Sequence, residues 1–593
     1  MKSSLLFLML FSSCVFSQSV SFTKTWSTYY CDGYTFVNMS AVDKLGNIYM
    51  VGNVKGNGVN SQFTPTLNAH QTQYGGGTCD GFITKFSPNG EIVWATFFGG
   101  INDDAIESIS IDGNSNLILS GSTTSPNNIA TTNSYRPNIT GNINSYLSKF
   151  TSDGQLIWST YLTDYNSSST VGVGNSSILL TDTSVTHDAN NNIYIISTTG
   201  EDNQATSGTF QTDKQSAKSL ISKFSPNGQV IWSTYYGINE SYLSGLCVNQ
   251  AGLYVSGRSS SCNQTVASNY FATPNCYQSD GYNECGTPFV SKFDLIGLRE
   301  WSTYYGGNNI QEDIILKNSI KCFDDNLYFV GYTYLDTDIA TTGSFQENKD
   351  FQYCNYLAKF NSSGQKIWGT YIGLNILNNY IILQNSLELD FSGNVYVSGV
   401  TNFQNNISTP GCFQNNIVYT QPDFNVDAFA MKFNPNGERI WGTYFGGENP
   451  EYLGNILLYQ DYFYMYGFTQ STSGISTPNA LQENYNTNGI SNFYDSNIFL
   501  ARFDPIPLSN STFNEDFFSI YPNPNNGTFT ISLKEYPLEH LKLELYDVLG
   551  KKLATQSLGQ LETSIKTNNL AKGIYLAKIY SKNKSTSKKI IVE

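Results

Sequence analysis

The sequence predicts an all-β protein: a seven-bladed β-propeller closed by its N-terminal strand, followed by a small C-terminal β-sandwich. Three observations lead to this prediction. Only 13% of the 593 residues are charged, while 41 Tyr, 37 Phe and 50 Gly make the chain rich in strand and turn formers. One tryptophan-centred motif recurs along the chain. The two ends of the repeat array each hold an incomplete unit that the other end can complete.

Every tryptophan of the chain lies in one short motif, in which a small residue, a threonine and an aromatic residue follow the indole. Seven copies occur 64 to 74 residues apart, at Trp26, Trp94, Trp158, Trp232, Trp301, Trp368 and Trp441. Tryptophans in register indicate seven copies of one structural unit rather than an active site. Because burying an indole removes about 150–250 Å² from water, we interpret these residues as packing neighbouring blades.

Three further motifs recur in step with the tryptophans. A Phe, nearly always preceded by Lys, lies eight residues before each Trp from the second onward, and a turn such as SPNG (87–90) separates the two. An Asp- and Gly-rich turn leads into an alternating strand, as in DKLGNIYMVG (43–52), and a segment such as ATTNSYRP (130–137) follows. Each repeat therefore predicts four strands, with a long insertion between the second and third.

The ends of the array predict how the ring closes. Phe503 occupies the Phe position of a last repeat that has no following Trp, while Trp26 has no Lys-Phe strand before it. The N-terminal strand is therefore expected to complete the last blade, which pairs two edges that would otherwise stay open. Crossovers and insertions are expected on one long-looped face, where we place the binding site.

The first residues have the form of a secretory signal peptide, with Lys2, an apolar run from Leu5 to Phe11 and small residues up to Ser17. No other stretch is long and apolar enough to predict a transmembrane helix. The net charge of −15 argues against nucleic acid or an acidic membrane surface as a partner. The predicted domains are a signal peptide (1–18), the propeller (19–508), a linker (509–516) and a C-terminal domain (517–593).

The repeats resemble the SBBP family, named for its seven-bladed β-propeller. The resemblance rests on the TYFGG, D-x-x-GN-x-YVSG and STP-x-x-FQ elements and covers residues from about 20 to 505. It implies the fold and says little about activity, because that family is defined by its architecture.

The C-terminal segment resembles the sorting domain of the type IX secretion system. The matching residues are Pro522, Asn523, Pro524, Gly527, Asp547, Gly550, Gly573, Tyr575 and the terminal lysines. The resemblance implies export across the inner membrane, interaction with the type IX secretion machinery, and release or attachment at the cell surface.

Candidate catalytic and metal-binding residues are few. His70, His187 and His540 form no zinc-binding pattern, and neither His70 nor His187 lies near a nucleophile-elbow sequence. Neighbouring carboxylates occur at Asp103–Asp104, Glu312–Asp313 and Asp324–Asp325, where solvated loops, calcium sites and glycosidase chemistry are all open interpretations. No cofactor is expected, and calcium is the one metal kept open.

Nine cysteines remain after the predicted signal peptide, in a compartment that permits disulfides. Cys31 follows the closing strand and Cys79 lies at the end of the first insertion, so a Cys31–Cys79 disulfide across the ring seam is the leading hypothesis. The spacing of Cys276 and Cys285 also permits a local disulfide.

The favoured function is a secreted or cell-surface scaffold that binds or adheres through the long-looped face, with a glycan or a protein as ligand. The alternative is a secreted polysaccharide hydrolase or lyase that uses carboxylates near the propeller axis. Two or more carboxylates that converge in a wide pocket would favour the enzyme.

Overall fold

The chain divides into two compact units, Met1–Pro505 and Ile506–Glu593. The structure is a computed structural model, and it describes residues 21–56, 61–165, 183–238, 241–259, 270–281, 287–306, 320–333, 335–349, 354–372, 386–404, 406–418, 426–486, 496–506, 511–512, 518–534, 541–548, 551–567, 570–580 and 584–593. These residues form strands, turns and irregular segments without a helix. Within them, accordingly, no helix is long and apolar enough to cross a membrane.

The first unit contains seven four-stranded antiparallel sheets, in which strands consecutive in the chain are hydrogen-bonded neighbours. Sheets one to three consist of β2 (Thr35–Val42), β3 (Ile48–Lys55), β4 (Cys79–Phe86) and β5 (Ile92–Phe98); β6 (Asp104–Ile111), β7 (Leu117–Thr123), β8 (Asn144–Phe150) and β9 (Leu156–Asp164); and β10 (Ser184–His187), β11 (Ile193–Thr198), β12 (Ser219–Phe224) and β13 (Val230–Tyr236).

Sheets four to six repeat this order along the chain. They consist of β14 (Tyr242–Asn249), β15 (Gly252–Arg258), β16 (Pro288–Phe293) and β17 (Arg299–Tyr304); β18 (Ile320–Phe323), β19 (Asn326–Thr333), β20 (Cys354–Asn361) and β21 (Lys366–Ile372); and β22 (Ser386–Leu389), β23 (Val395–Thr401), β24 (Asp427–Phe433) and β25 (Arg439–Phe445).

Sheet seven takes its strands from both ends of the unit: β26 (Asn455–Tyr459), β27 (Tyr462–Thr469), β28 (Asn497–Pro505) and β1 (Phe22–Tyr30). β1 lies antiparallel to β28, with Trp26 opposite Arg502. The insertion between β27 and β28 also contacts β1, because Thr477 N donates to Ser27 O at 2.9 Å. β1 thus holds the fourth-strand position of sheet seven.

The sheets pack face to face in sequence order. The middle strands β7 and β8 are buried along their whole length, because each sheet is covered on both faces. Each sheet shares a hydrophobic cluster with the next, and sheet seven shares one with sheet one, in which Leu457 and Tyr464 pack with Ile48 and Phe86. The first strands also contact one another in order, with β26 against β2.

The insertions were predicted to form long loops on one face, but in the structure part of each insertion runs along the fourth strand of its sheet. In sheet one, Thr66 N donates to Ala95 O at 2.9 Å and Phe97 N donates to Gln71 O at 3.1 Å, so the insertion lies along the outer edge of β5. Equivalent bonds occur in every sheet. The physical reason is that a fourth strand has an unpaired edge, and covering this edge removes a site of aggregation. The insertions therefore contribute to the sheets as well as to the crossover end.

The tryptophans connect each sheet to the next. The indole N–H groups donate to a carbonyl in the tight turn between the third and fourth strands of the following sheet, in these pairs: Trp26 to Pro88 (3.1 Å), Trp94 to Ser152 (3.0 Å), Trp158 to Pro226 (3.2 Å), Trp232 to Leu295 (3.0 Å), Trp301 to Ser362 (2.9 Å) and Trp368 to Pro435 (3.0 Å). The indole lies on the glycine of that turn. A Cβ built on Gly437, where φ is +85°, would lie 2.9 Å from the Trp368 ring.

Trp441 is the exception to this pattern. Its Nε1 has no hydrogen-bond partner in the described part of the chain. The third and fourth strands of sheet seven come from opposite ends of the unit, so no hairpin turn supplies a carbonyl there. The ring of Phe22 packs against the indole instead, with centroids 4.9 Å apart.

The second unit contains two sheets. A five-stranded sheet has the order β29 (Ser511–Thr512), β36 (Lys584–Val592), β35 (Gly573–Tyr580), β32 (Leu541–Asp547) and β33 (Lys552–Leu558), and a three-stranded sheet has the order β30 (Phe518–Tyr521), β31 (Thr528–Leu533) and β34 (Glu562–Lys566). Phe529 and Ile531 of the smaller sheet share one hydrophobic cluster with Leu543 and Ile579 of the larger sheet. This pairing of two sheets over one core agrees with the predicted sandwich.

Trp368→Phe is expected to lower the stability of the first unit by about 1 kcal/mol more than Trp441→Phe does. Both substitutions shrink a buried ring, but only the first removes a hydrogen bond, since Trp441 Nε1 donates none. The midpoints of urea unfolding of the two variants would test this. Equal losses would show that the indole N–H contributes nothing to the joint.

Candidate functional site

Two pairs of carboxyl groups are buried where the chain crosses from one sheet to the next. Asp80 of β4 lies near Asp104, the first residue of β6, and Asp427, the first residue of β24, lies near Glu451, just before β26. All four residues have no exposed surface. Each pair therefore joins the third strand of one sheet to the segment that opens the next.

Hydrogen bonds occupy one oxygen of each acid in the pair between sheets six and seven. Glu451 Oε1 accepts from Thr469 Oγ1 at 2.7 Å and from Ser471 Oγ at 2.8 Å. Asp427 Oδ2 accepts from Gln414 Nε2 at 2.7 Å. These donors come from β27, the segment after it and the preceding insertion, so three parts of the chain position the pair.

The remaining two oxygens of this pair meet beside Gly446. A Cβ built on Gly446 would lie 2.2 Å from Glu451 Oε2 and 2.7 Å from Asp427 Oδ1, so a side chain cannot fit there. Neither oxygen has another donor in the described residues. Burial raises the pKa of Asp427 to about 7, and burial together with the nearby Asp427 raises the pKa of Glu451 well above its ordinary value. We therefore expect the two acids to share a proton, which would satisfy both oxygens.

The pair between sheets one and two is buried at the equivalent place, but both oxygens of Asp104 accept hydrogen bonds there, Oδ1 from Thr123 Oγ1. Asp104 Oδ2 accepts from Gly100 N at 2.6 Å and from Ser125 Oγ at 2.8 Å, and Asp80 Oδ2 accepts from Gly75 N. Burial first, and then the neighbouring acidic charges, raise the pKa of Asp80 to about 8 and that of Asp104 to about 6. Both pairs hold protons near neutral pH, and neither presents an oxygen to solvent.

The carboxylate pairs predicted from the sequence have different positions. Asp104 belongs to a buried pair, while Asp103 accepts from Thr78 Oγ1 at 2.9 Å in the adjoining crossover. Asp324 and Asp325 are exposed in the turn between β18 and β19. The pair Glu312–Asp313 lies outside the described residues. The sequence motifs did not identify Asp80 as the partner of Asp104, nor the pair of Asp427 and Glu451. In each pair the two acids belong to different repeats.

The aspartates of the Asp- and Gly-rich turns, whose carboxylates have the chemistry of calcium ligands, already have partners. Asp112 Oδ1 accepts from Asn114 N and Asn116 N, both at 2.9 Å, and Lys149 Nζ lies 2.8 Å from Asp112 Oδ2. This lysine belongs to the Lys-Phe motif, which explains why the two motifs recur together. In the described ranges, no group of three or more His, Cys, Asp or Glu residues is arranged to hold a metal ion.

The described histidines lie at contacts between sheets. His70 packs edge-on against Phe150, with ring centroids 5.4 Å apart, and burial lowers its pKa. His187 Nδ1 lies 2.9 Å from Ser110 Oγ, which connects β10 to β6. The contact of His187 with Ser110 could not be predicted from the sequence, because it depends on which first strands are neighbours. His540 lies outside the described residues.

The Cys31–Cys79 disulfide is absent from this structure. Both residues are buried, and both are free thiols. Burial raises the pKa of each thiol to about 12, so neither is a reactive thiolate in this state. The pairing stays a prediction about the oxidised protein. Cys285, the suggested partner of Cys276, lies outside the described residues.

The Pro-Asn-Pro segment at 522–524 is bound to the last strand of the second unit. Asn523 Nδ2 donates to Lys589 O and Asn523 Oδ1 accepts from Ile591 N, both at 2.8 Å. Gly527 follows with a φ of +94° and leads into β31. The motif thus ties the start of this unit to its basic C-terminal strand.

The other predicted sorting residues shape turns in the same unit. Asp547 Oδ1 accepts from Lys551 N at 2.9 Å across the turn that contains Gly550, itself outside the described residues. Gly573 opens β35, and the Tyr575 hydroxyl donates to Ala571 O at 2.7 Å.

Residues 519–593 match the family model described as the secretion system C-terminal sorting domain. The C-terminal unit is therefore a type IX sorting domain, and the protein is secreted or located at the cell surface. No curated protein matches the chain at a significant level.

Several solved structures are similar to the chain at low identity. They include a fungal alcohol oxidase of the AA5 family in complex with copper (10% identity, 97% of this chain and 99% of that chain, TM-score 0.34), the phage phi92 endosialidase (10%, 97% and 87%, 0.33) and the NanB sialidase from Streptococcus pneumoniae (8%, 82% and 94%, 0.32). TM-scores this low carry neither fold nor activity over to this chain.

Asp427→Asn is expected to stabilise the protein more at pH 8 than at pH 5. The native state retains a proton on Asp427 up to about pH 7, whereas the unfolded carboxyl ionises near pH 4. The parent therefore loses stability as the pH rises, by roughly 3 kcal/mol between pH 5 and pH 8, and the amide variant lacks this loss.

Urea unfolding of parent and variant at pH 5, 6, 7 and 8 would measure the difference. Asp202→Asn is a suitable control, because the Asp202 side chain is 75% exposed. A stability difference between Asp427→Asn and the parent that does not change with pH would contradict the shared proton.

Proposed function

We propose that residues 19–508 form a seven-bladed β-propeller of the SBBP type, closed by β1, and that the exported protein is a binding or adhesion scaffold. The ligand is a glycan or a protein outside the cell, and it binds at the crossover end of the blades. Type IX secretion brings the scaffold to the surface or the medium.

The closed ring is supported by the cyclic order of contacts between the sheets. Seven hydrophobic clusters join the sheets pairwise, including sheet seven to sheet one, and the first strands follow the same order. Trp26 adds a joint of the same kind, since its indole reaches from sheet seven to Pro88 in sheet one. A propeller is the all-β architecture in which four-stranded sheets repeat around an axis in this way.

The observation that carries the binding function is the burial of the converging carboxyl groups. An active site for polysaccharide cleavage needs carboxyl groups that reach the substrate. Both pairs here are instead enclosed by donors of their own chain. Their role at the joints is structural, which favours recognition over hydrolysis.

The crossover segments differ in sequence around this constant frame, as binding loops do. They read GGIND at 99–103, GGENP at 446–450 and CDGYT at 31–35. Large aromatic side chains contribute little exposed surface in the described part of the first unit, where Phe391 and Phe413 are the exposed ones. The abundant aromatics therefore serve packing, and polar contacts are expected to dominate ligand binding.

Deletion of residues 19–30 is expected to leave the edge of β28 open, so that the exported protein aggregates or is lost. Moving residues 21–30 behind residue 506 through a Pro-Asn-Gly turn should restore a soluble protein, because sheet seven regains its fourth strand. Solubility and sedimentation of the purified proteins would be compared. A deleted chain as soluble and stable as the parent would refute the closure.

The mature protein is expected to bind a glycan or surface protein without changing it chemically. Screening of residues 19–593 on a glycan array and against surface extracts, followed by product analysis, would test this. Turnover of any carbohydrate would overturn the proposal in favour of a hydrolase or lyase.

Ile101→Arg and Phe391→Arg together test which end binds the identified ligand. Ile101 lies in a crossover and is 56% exposed, while Phe391 lies in a tight turn at the other end of a first strand and is 89% exposed. The first variant should weaken binding at least about tenfold, which corresponds to 1.4 kcal/mol, and the second should leave it unchanged. The reverse pattern would place the ligand on the turn face.

A further inference from the structure

Two cysteines that are distant in the chain lie together at the first strands of sheets four and five. Cys247 belongs to β14 and Cys322 to β18, and both pack in the hydrophobic cluster that joins the two sheets. Their thiols lie next to each other in this cluster, and both are free in this structure. Cys247 is 6% exposed, whereas Cys322 is only partly buried.

We propose that Cys247 and Cys322 form a disulfide in the exported protein, which crosslinks the first strands of two neighbouring sheets. The protein is secreted or located at the cell surface, so it leaves the reducing cytosol, and two contacting thiols in an oxidising compartment are candidates for pairing. This inference is independent of the ligand and of the closure by β1.

The oxidant is a protein disulfide of the thiol-oxidising catalysts in the cell envelope. The Cys322 thiolate, the more accessible of the two, attacks that disulfide and forms a mixed disulfide, and one cysteine of the catalyst leaves as a thiolate. Cys247, as a thiolate, then attacks Cys322 Sγ and releases the second cysteine of the catalyst. The two thiols lose two protons and two electrons, and the disulfide of the catalyst is reduced to a dithiol.

Lys321 favours the second step. Burial raises the pKa of Cys247, and the Lys321 ammonium acts in the opposite direction by stabilising the thiolate. Lys321 also pairs with Glu388 of β22, with Nζ 2.8 Å from Oε1. The disulfide and this ion pair would together connect the first strands of sheets four, five and six.

The crosslink acts where strand pairing does not. In the part of the chain that the structure describes, each strand of the first unit pairs only within its own sheet, so neighbouring sheets are held together by side-chain contacts and by a few backbone hydrogen bonds between flanking segments. A bond between Cys247 and Cys322 closes a loop of about 75 residues, a length at which a crosslink strongly restricts the unfolded chain.

Peptide mapping of the protein purified from culture medium or cell surface would test the proposal. Free thiols are alkylated under denaturing conditions without reductant, and the digest is analysed by mass spectrometry. We expect a peptide pair linked through Cys247 and Cys322, 2 Da lighter than the sum of its reduced parts. Alkylation of both residues before reduction, or linkage of either to another cysteine, would overturn the proposal.

Thermal unfolding with and without reductant gives a second readout. The parent and Cys412→Ser, which removes a thiol outside the pair, should unfold several degrees lower after reduction. Cys322→Ser should show no such shift and should leave Cys247 open to alkylation. An equal shift in Cys322→Ser would assign the reducible bond to other cysteines and refute the proposal.

Discussion

The fold depends on how sheets whose strands do not pair with one another are held together. In six joints an indole donates to a turn carbonyl of the next sheet and lies on that turn's glycine. This one contact explains three features that recur at these six joints: a tryptophan on the fourth strand, a tight turn after the Lys-Phe strand of the next sheet, and a glycine that closes the turn. A side chain on Gly437 would meet the Trp368 ring and would also need a backbone φ near +85°. The tryptophan and the glycine of the next repeat therefore act as one unit.

The second constraint is the open edge of each fourth strand. The insertions satisfy it by donating and accepting backbone hydrogen bonds along that edge, as Thr66 and Gln71 do along β5. The need to cover this edge explains why each repeat contains more residues than four strands and three short turns would take up. It also limits the surface for ligands, because much of each insertion is committed to the scaffold. The proposed recognition of a ligand therefore falls to the crossover segments, whose sequences differ from sheet to sheet.

Much of the fold could be predicted from the sequence because it depends on local patterns repeated seven times. The structure contains the Lys-Phe and Trp strands and the turn between them. The unmatched Trp26 and Phe503 lie on β1 and β28, which pair with each other. The buried carboxyl pairs could not be predicted in the same way, since Asp427 and Glu451 come from different sheets and are joined only by their packing. The contact of Cys247 with Cys322 could not be predicted for the same reason. The predicted pair, Cys31 and Cys79, follows from the positions of these residues in the repeat array. Sequence repeats specify the strands of a sheet and the tryptophan contact that recurs at six joints, whereas contacts made at a single joint depend on how two particular sheets pack.

The carboxyl pairs show where the repeats stop being equivalent. The position six residues before the Phe of the Lys-Phe motif holds Asp80, Asn144, Lys218, Thr287, Cys354, Asp427 and Asn497. Asparagine at this position is as completely buried as aspartate is, so packing alone does not require an acid. An aspartate must keep a proton or lose stability, because a buried charge is costly. In sheets one and six the opening of the next sheet supplies the partner acid, and serine and threonine hydroxyls hold that partner in place. Within the described residues, two joints therefore bury a pair of acids whose pKa values are raised, and both of these joints lie at the crossover end.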